Sequence, residues 1–249
     1  MVETDRISVV VVTYNGEAYL TEQLTSILEN LREQDEVIVS DDGSKDKTLE
    51  IIQNYTELDC RVRFVEGPHQ GVKKNVEYAL RQCNGEYIFL ADQDDIWMPD
   101  KIKEVMEVFE KENCHLVIHD ARVIQGRERD DFVLPSFMEF RSAKAGIWKN
   151  IIKNSYIGCC MAFRASLKER VIPIPPDIEM HDQWIGILND YYYGDSVFLK
   201  KPLILYRRHG ENSSEMTRYG MGRMIRNRIV FCIRFLQKIF KIHKRMGKF

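Results

Sequence analysis

Apolar positions in the first ninety residues switch repeatedly between two periods. Ile7–Thr13 (ISVVVVT) is an unbroken β-branched run, the pattern of a strand buried on both faces of a parallel sheet. Tyr14-Asn15-Gly16 reads as a turn, and residues 17–31 as a helix with Leu20, Leu24, Ile27, Leu28 and Leu31 on one face. Residues 36–40 predict a second strand closed by Asp41-Asp42-Gly43-Ser44, and residues 48–55 a second helix. A strand at 62–65, a helix at Val72–Gln82 opened by Gly71, and a strand at 87–91 continue the series. This alternation predicts βαβ units in an α/β fold, with a mostly parallel central sheet flanked by helices.

Beyond residue 100 the pattern loosens. Residues 116–119 and 121–124 predict strands, 126–131 a charged turn, 138–155 a helix or a loop over the site, and 158–164 (GCCMAFR) a strand. Residues 173–176 break the chain before His181-Asp182 and a helix at 185–192. Strands at 197–200 and 203–206 close the sheet, ending in Arg207-Arg208-His209-Gly210. With no internal repeat or low-complexity linker, the expected division is one domain over 1–217 and a tail over 218–249.

Composition sharpens this picture. At 44% hydrophobic and 30% charged, the 249-residue chain is of soluble globular type. Its net charge of −2 hides an asymmetry, because residues 218–249 hold ten Lys/Arg and no Asp/Glu. The rest carries 26 basic against 38 acidic residues. An acidic body with a basic tail argues against nucleic acid as a partner and for a tail that meets something anionic. Six cysteines without a C-x-x-C pair point to a reducing, cytosolic setting. No signal peptide or membrane-spanning stretch is expected.

In open α/β sheets ligands bind beyond the carboxyl ends of the strands. Three strands end there in polar clusters: Thr13-Tyr14-Asn15, Asp41-Asp42-Gly43 and Asp92-Gln93-Asp94-Asp95. The last delivers three carboxylates in four residues, which suits Mg²⁺ or Mn²⁺ bridging to phosphates. The bland alternative is a solvated turn, with Asp100 capping the next helix. A dinucleotide fingerprint and a P-loop are both absent after the first strand. Asp41 and Asp42 are hydrogen-bond acceptors for a ribose or base, or else an Asx-turn with Ser44 as an alternative N-cap. Lys73 and Lys74 sit in the first turn of a helix, against its dipole, as a diphosphate contact or a solvated pair. Asp182 is a helix cap or a general base, and His209 a structural residue or a metal ligand with Arg207 and Arg208 near a diphosphate.

The tail sorts at 100° per residue. Arg223, Arg226, Arg234, Lys238, Lys241, Lys244, Arg245 and Lys248 fall on one side, and Ile225, Ile229, Cys232, Leu236, Ile239 and Phe240 on the other. That pattern predicts a helix in the interface of an anionic membrane, or one docked on the domain with its basic face in water.

Taken in order, these clusters resemble the family 2 glycosyltransferases, inverting enzymes of GT-A fold. Residues 9–19 (VVVVTYNGEAY) look like that family's opening strand and nucleotide-contacting turn, and 37–48 (VIVSDDGSKDKT) like its second signature, whose Asp contacts the base. Residues 71–80 (GVKKNVEYAL) match the helix whose usual Arg-Asn is Lys74-Asn75 here. Asp92–Asp95 is similar to the metal-binding D-x-D segment, and 91–97 (ADQDDIW) has the form common among bacterial rhamnosyltransferase-like members. The resemblance implies a nucleotide-binding half at about 1–100 and an acceptor half at about 101–217. It implies donor contacts from Thr13, Tyr14, Asn15, Glu17, Asp41, Asp42, Lys74, Asn75, Asp92 and Gln93. Mn²⁺ or Mg²⁺ would sit on Asp94 and His209, Asp182 would be the catalytic base, and Gly158, Cys159, Cys160 and Trp184 would meet the acceptor. The expected partners are a nucleoside-diphosphate sugar, dTDP-rhamnose or a UDP-sugar, and a lipid-linked glycan, at the cytoplasmic face of the cell membrane. Two departures stand out: Lys74 replaces the usual Arg, and His181 replaces the frequent Glu before Asp182. A nucleotidyltransferase with a similar acidic site, or a non-catalytic membrane-surface module, are the competing readings.

Overall fold

In the computed structural model, described over residues 6–126, 131–209 and 220–246, a nine-stranded sheet carries the fold. β1 (Ile7–Thr13) is buried along its whole length between β2 (Glu36–Asp41) and β4 (Tyr87–Asp92), both parallel to it, while β3 (Val62–Glu66) forms the edge. The crossovers are α1 (Leu20–Leu28), α2 (Thr48–Leu58) and α3 (Val72–Gln82). Leu20, Leu24 and Ile27 of α1 are buried, as their spacing predicts. Register then positions the site. Thr13 stands opposite Asp41 and Val12 opposite Asp92, so three strands stop nearly level and release their polar turns along one edge.

β5 (Ile96–Trp97) and α4 (Lys101–Glu112) follow. Asp100 occupies the N-cap position of α4 with φ +63° but makes no capping bond with its side chain. Likewise α2 starts at Thr48, so Ser44 is not its cap and instead donates to Asp41.

The second half differs more from expectation. The two strands expected at 116–124 are one, β6 (Leu116–Gln125). Its pairing with β9 (Val197–Arg208) shifts register on both sides of Asp120. There the Asp120 carboxylate captures the N–H groups of Ala121 and Met138 and the Ser136 hydroxyl, so the strand is irregular without ending. β9 likewise joins two expected strands through an irregularity just before Pro202, which has no N–H for the ladder. β7 (Phe132–Leu134) flanks β6, and β8 (Met161–Arg164) links β4 to β6 antiparallel to both. β5 closes the far edge antiparallel to β9. Residues Gly158–Cys160, expected within a strand, form a 3₁₀ turn ahead of β8.

The ambiguous stretch 138–155 contains α5 (Phe137–Arg141) and α6 (Ile147–Ile152). After α7 (Ala165–Val171) comes α8 (His181–Tyr192), which begins four residues before the expected start and puts Asp182 in its first turn. α9 (Met221–Met246) packs on the domain, with Phe231 and Phe235 buried in the main core and Phe231 edge-on to Trp184. Residues 127–130 of the expected charged turn and Asn212-Ser213-Ser214 lie outside the described residues. Among the described residues, no helix is long and apolar enough to cross a membrane.

Candidate active site

The level strand ends open into a cleft of about 960 Å³. Thr13, Tyr14, Asp42, Asn75, Asp92, Gln93 and Asp94 line it, together with Gly158, Cys159, Asp182 and residues of α5, α6 and α9. Such a volume lies at the upper end for small-molecule sites.

Hydrogen bonding separates residues that face the cleft from those that hold it open. Asp41, expected at the base, is buried and saturated. It accepts Thr13 Oγ1 at 2.8 Å, the N–H groups of Gly43 and Ser44 at 3.0 and 2.8 Å, and the Ser44 hydroxyl. It locks the end of β1 to the turn after β2. Asp42 does line the cleft, accepting N–H groups of Gln70 and Gly71 at 3.2 and 2.6 Å. Asn15 and Glu17 do not. They accept backbone N–H groups of Lys45 and Lys47, each at 2.9 Å, and so brace two turns together. Gln93 clasps Tyr14 through both its backbone N–H (2.8 Å) and carbonyl (3.1 Å), leaving the Tyr14 ring exposed at the rim.

The helix-terminal lysines are also turned to structure. Lys74 Nζ donates to Glu77 at 2.8 Å and to the Ile174 carbonyl at 3.1 Å, away from the cleft lining. Lys73 Nζ ties down the carbonyls of Pro176 and Ile178. Asn75 reaches the cleft but is buried against Ser40, exchanging hydrogen bonds with its hydroxyl and carbonyl. The mismatch of two lysines with the α3 dipole is thus relieved by carbonyls and Glu77.

The acidic segment behaves differently. Burial, with the Asp94 and Asp182 charges, pushes the Asp92 carboxyl up to about 7. Burial, with the Asp94 and Asp92 charges, holds Asp95 well above the usual carboxylate range. Asp95 Oδ1 accepts the Arg207 N–H at 3.1 Å, while its buried Oδ2 has no partner among the described residues. Asp92, Asp95 and Cys159 bring potential ligand atoms within 4.8 Å of one another. Asp94 Oδ2 lies 2.7 Å from His209 Nε2, and the His209 ring stacks on Tyr19 at 4.8 Å. Three crowded carboxylates, one with an orphaned oxygen, beside an imidazole fit a hard divalent cation. Cys159 is the poor member, because its hydrogen bond with Cys160 and burial keep its thiol well above the ordinary range. Arg207 is buried and bridges Glu22 (2.7 Å), the Asp94 carbonyl (2.9 Å) and the Gly126 carbonyl (2.8 Å), whereas Arg208 lines the cleft.

Asp182 is buried, and burial raises its carboxyl to about 6. It is not the helix cap, which is Met180; it accepts the Gln183 N–H at 2.5 Å and Asn154 Nδ2 at 3.0 Å. Beside it, burial lowers His181 to about 4, so this ring is neutral near pH 7. A Cβ on Gly158 would sit 2.9 Å from His181 Nε2, so glycine here serves the approach of His181. Cys160 and Trp184 are fully buried and outside the cleft lining; the Trp184 indole donates to the Val171 carbonyl at 2.9 Å.

Sequence reasoning passed over Asn154 and Arg141, which line the cleft near Asp182, and Lys101. Lys101 is fully buried, 3.7 Å over the Trp97 ring and 3.3 Å from the Cys159 carbonyl, and burial lowers its ammonium to about 8. Asn154 and Arg141 fall in short helices and turns with no periodic signal. Lys101 resembles any first-turn lysine.

Comparisons with known proteins agree with this architecture. The dTDP-rhamnosyl transferase RfbG of Shigella flexneri is 29% identical over 87% of this chain and 79% of its own length. A crystal structure of Staphylococcus aureus TarS 1–349 with UDP-GlcNAc superposes with a TM-score of 0.70 at 21% identity, over 90% of this chain and 66% of that one. The mannosyltransferase PcManGT of Pyrobaculum calidifontis, solved with GDP-Man and Mn²⁺, gives 0.62 at 22% identity over 85% and 59%. The chain spans about two thirds or less of the length of most curated relatives it matches. These structural likenesses establish the GT-A fold. The description "Glycosyl transferase family 2" matches residues 8–171, so the chain belongs to that family of sugar-transferring enzymes.

Proposed function

We propose that this enzyme is a metal-dependent inverting glycosyltransferase that moves a sugar from a nucleoside-diphosphate donor to an acceptor hydroxyl in cell-surface polysaccharide biosynthesis. The observation that carries the reading is one cleft in which a buried carboxylate raised to about 6, Asp182, faces the Asp92–Asp94 cluster. A base with that pKa is ionised at pH 7 yet basic enough to accept a hydroxyl proton. Asp182 takes the acceptor proton as the oxygen attacks the anomeric carbon opposite the leaving diphosphate. Gln183 N–H and Asn154 hold the carboxylate in place. Tyr14 and Asp42 receive the nucleoside at the rim, and Arg208 meets the diphosphate. Asp92, Asp94 and His209 would hold Mn²⁺ or Mg²⁺, which when bound acts as a Lewis acid on the departing diphosphate.

The likeness to the dTDP-rhamnosyl transferase RfbG supports dTDP-rhamnose as donor, and that to TarS a UDP-sugar. The acceptor is a lipid-linked glycan, reached at the cytoplasmic face of the cell membrane by a peripheral enzyme whose basic tail meets anionic lipid. Melting of the protein with UDP, dTDP, GDP and CMP, each with Mn²⁺ and with EDTA, tests the donor site. Saturation at 100 times Kd adds about 2.7 kcal/mol of stability. One nucleoside diphosphate should raise the melting temperature only with metal. No shift with any nucleotide would overturn the reading.

A further inference from the structure

The helix α9 meets three environments. Phe231 and Phe235 face the core, and on the same side Arg228 donates to the Ile152 carbonyl of α6. On the opposite flank Arg234 pairs with Asp177, and Arg223, Arg226 and Lys241 are exposed. Between these lies an arc that no described residue covers. Ile225, Ile229, Ile233, Leu236 and Phe240 recur at intervals of three or four and are each about half exposed or more. Docking to the domain therefore takes Cys232 and Ile239 from the face expected to meet lipid and leaves Ile225, Ile229, Leu236 and Phe240 of it exposed.

This arc does not end with the helix. The Arg228 clamp brings α6 alongside, and α6 presents Trp148 and Ile152, one turn apart, at 76% and 62% exposure. Phe140 of α5 is exposed and lines the same cleft as Ile152. Isolated exposed apolar side chains are ordinary, but eight large ones on adjoining helices are not. Lys144 and Lys153 flank α6 as Arg223 and Arg226 flank α9, so the border of the patch is basic. Phe140, Ile152, Met224 and Arg228 also line the cleft. The acceptor end of the site thus opens through the apolar patch.

We propose that the exposed faces of α6 and α9 form one surface that seats in an anionic phospholipid bilayer, so that the acceptor end of the cleft opens onto the lipid. This deepens the membrane reading above and rests on it: the basic tail supplies attraction, and the apolar arc with Trp148 supplies insertion and orientation. An acceptor carried on a membrane lipid then enters in the plane of the bilayer, its polar end passing Arg228 toward Asp182.

The three tryptophans make the test direct. Trp97 and Trp184 are buried, at 3% and 0% exposure, so Trp148 alone can report contact with lipid. The intact protein is titrated with vesicles of 3:1 phosphatidylcholine and phosphatidylglycerol, with sedimentation and tryptophan emission read together. The expected result is sedimentation, a blue shift of emission and quenching by bromine-labelled acyl chains, all optical changes being lost in Trp148→Phe. Ile229→Ser with Ile233→Ser should weaken vesicle partitioning at least tenfold while the nucleotide-induced melting shift is kept. Sedimentation without a Trp148 response would overturn the seating and leave a purely electrostatic tail. No sedimentation would overturn both membrane statements. The nucleotide melting shift decides the glycosyltransferase reading independently.

Discussion

Replacing Asp182 by Asn separates what the active site does from what it costs. Burial moves this carboxyl from an ordinary 3.8 to about 6. At 1.36 kcal/mol per unit, keeping it ionised in the fold costs about 3 kcal/mol. The native pKa is the higher one, so the native state binds the proton more tightly. That stabilising contribution is complete below pH 3.8 and is lost as pH rises through about 6. Asn carries no charge and can still accept the Gln183 N–H. The variant should therefore be more stable than the parent at pH 7.5 by up to about 3 kcal/mol, and by roughly half that at pH 5. In a chain of this size that is a gain of several degrees in melting temperature. Activity should move the other way. Loss of a general base should lower turnover by roughly 10²–10⁴-fold, and the limb of kcat/KM rising through about pH 6 should disappear. The assays are nucleoside-diphosphate release across pH 5–9 and thermal melts at pH 5 and 7.5. Parental turnover in the variant would remove Asp182 as base. A variant less stable than the parent at pH 7.5 would refute the claim that burial is what raises its pKa.

Two further substitutions probe the packing behind the site. Gly158→Ala places a methyl 2.9 Å from His181 Nε2, so it should push back the start of α8, cost about 1–3 kcal/mol and depress turnover more than nucleotide binding, as steady-state kinetics and melting with nucleotide would show. Gly186→Ala would set its Cβ 2.4 Å from the buried Tyr156 ring and should cost at least that much, read as a lower urea midpoint.

The parallel half was legible because each signal there is local and repeated. β1 and α3 have the bounds that their apolar runs predict, and the strand-end clusters meet because parallel register leaves no other arrangement. What sequence could not show is which way a polar side chain turns. Asp41 and Asp42 are adjacent and chemically alike, yet Asp41 is saturated by Thr13 and the next turn while Asp42 lines the cleft. Lys74 looked like a phosphate ligand until Glu77 and the Ile174 carbonyl are seen within reach, a contact a hundred residues away in the chain. The resemblance implies an acceptor contact for Trp184, but on α8 it is buried in the core and meets Phe231. The acceptor half has short helices and an irregular β6, so periodicity had too few residues to act on.

The three-sided environment of α9 has an evolutionary consequence. Positions that meet the protein interior, such as Phe231 and Phe235, are interleaved in sequence with positions that meet the outside, yet are separated around the helix by angle. Mutation can therefore retune the outward arc without disturbing the anchoring contacts. Such a helix should drift at two speeds at once. Between close kin, the residues at 225, 229, 233, 236 and 240 should vary freely in size while 231 and 235 stay aromatic.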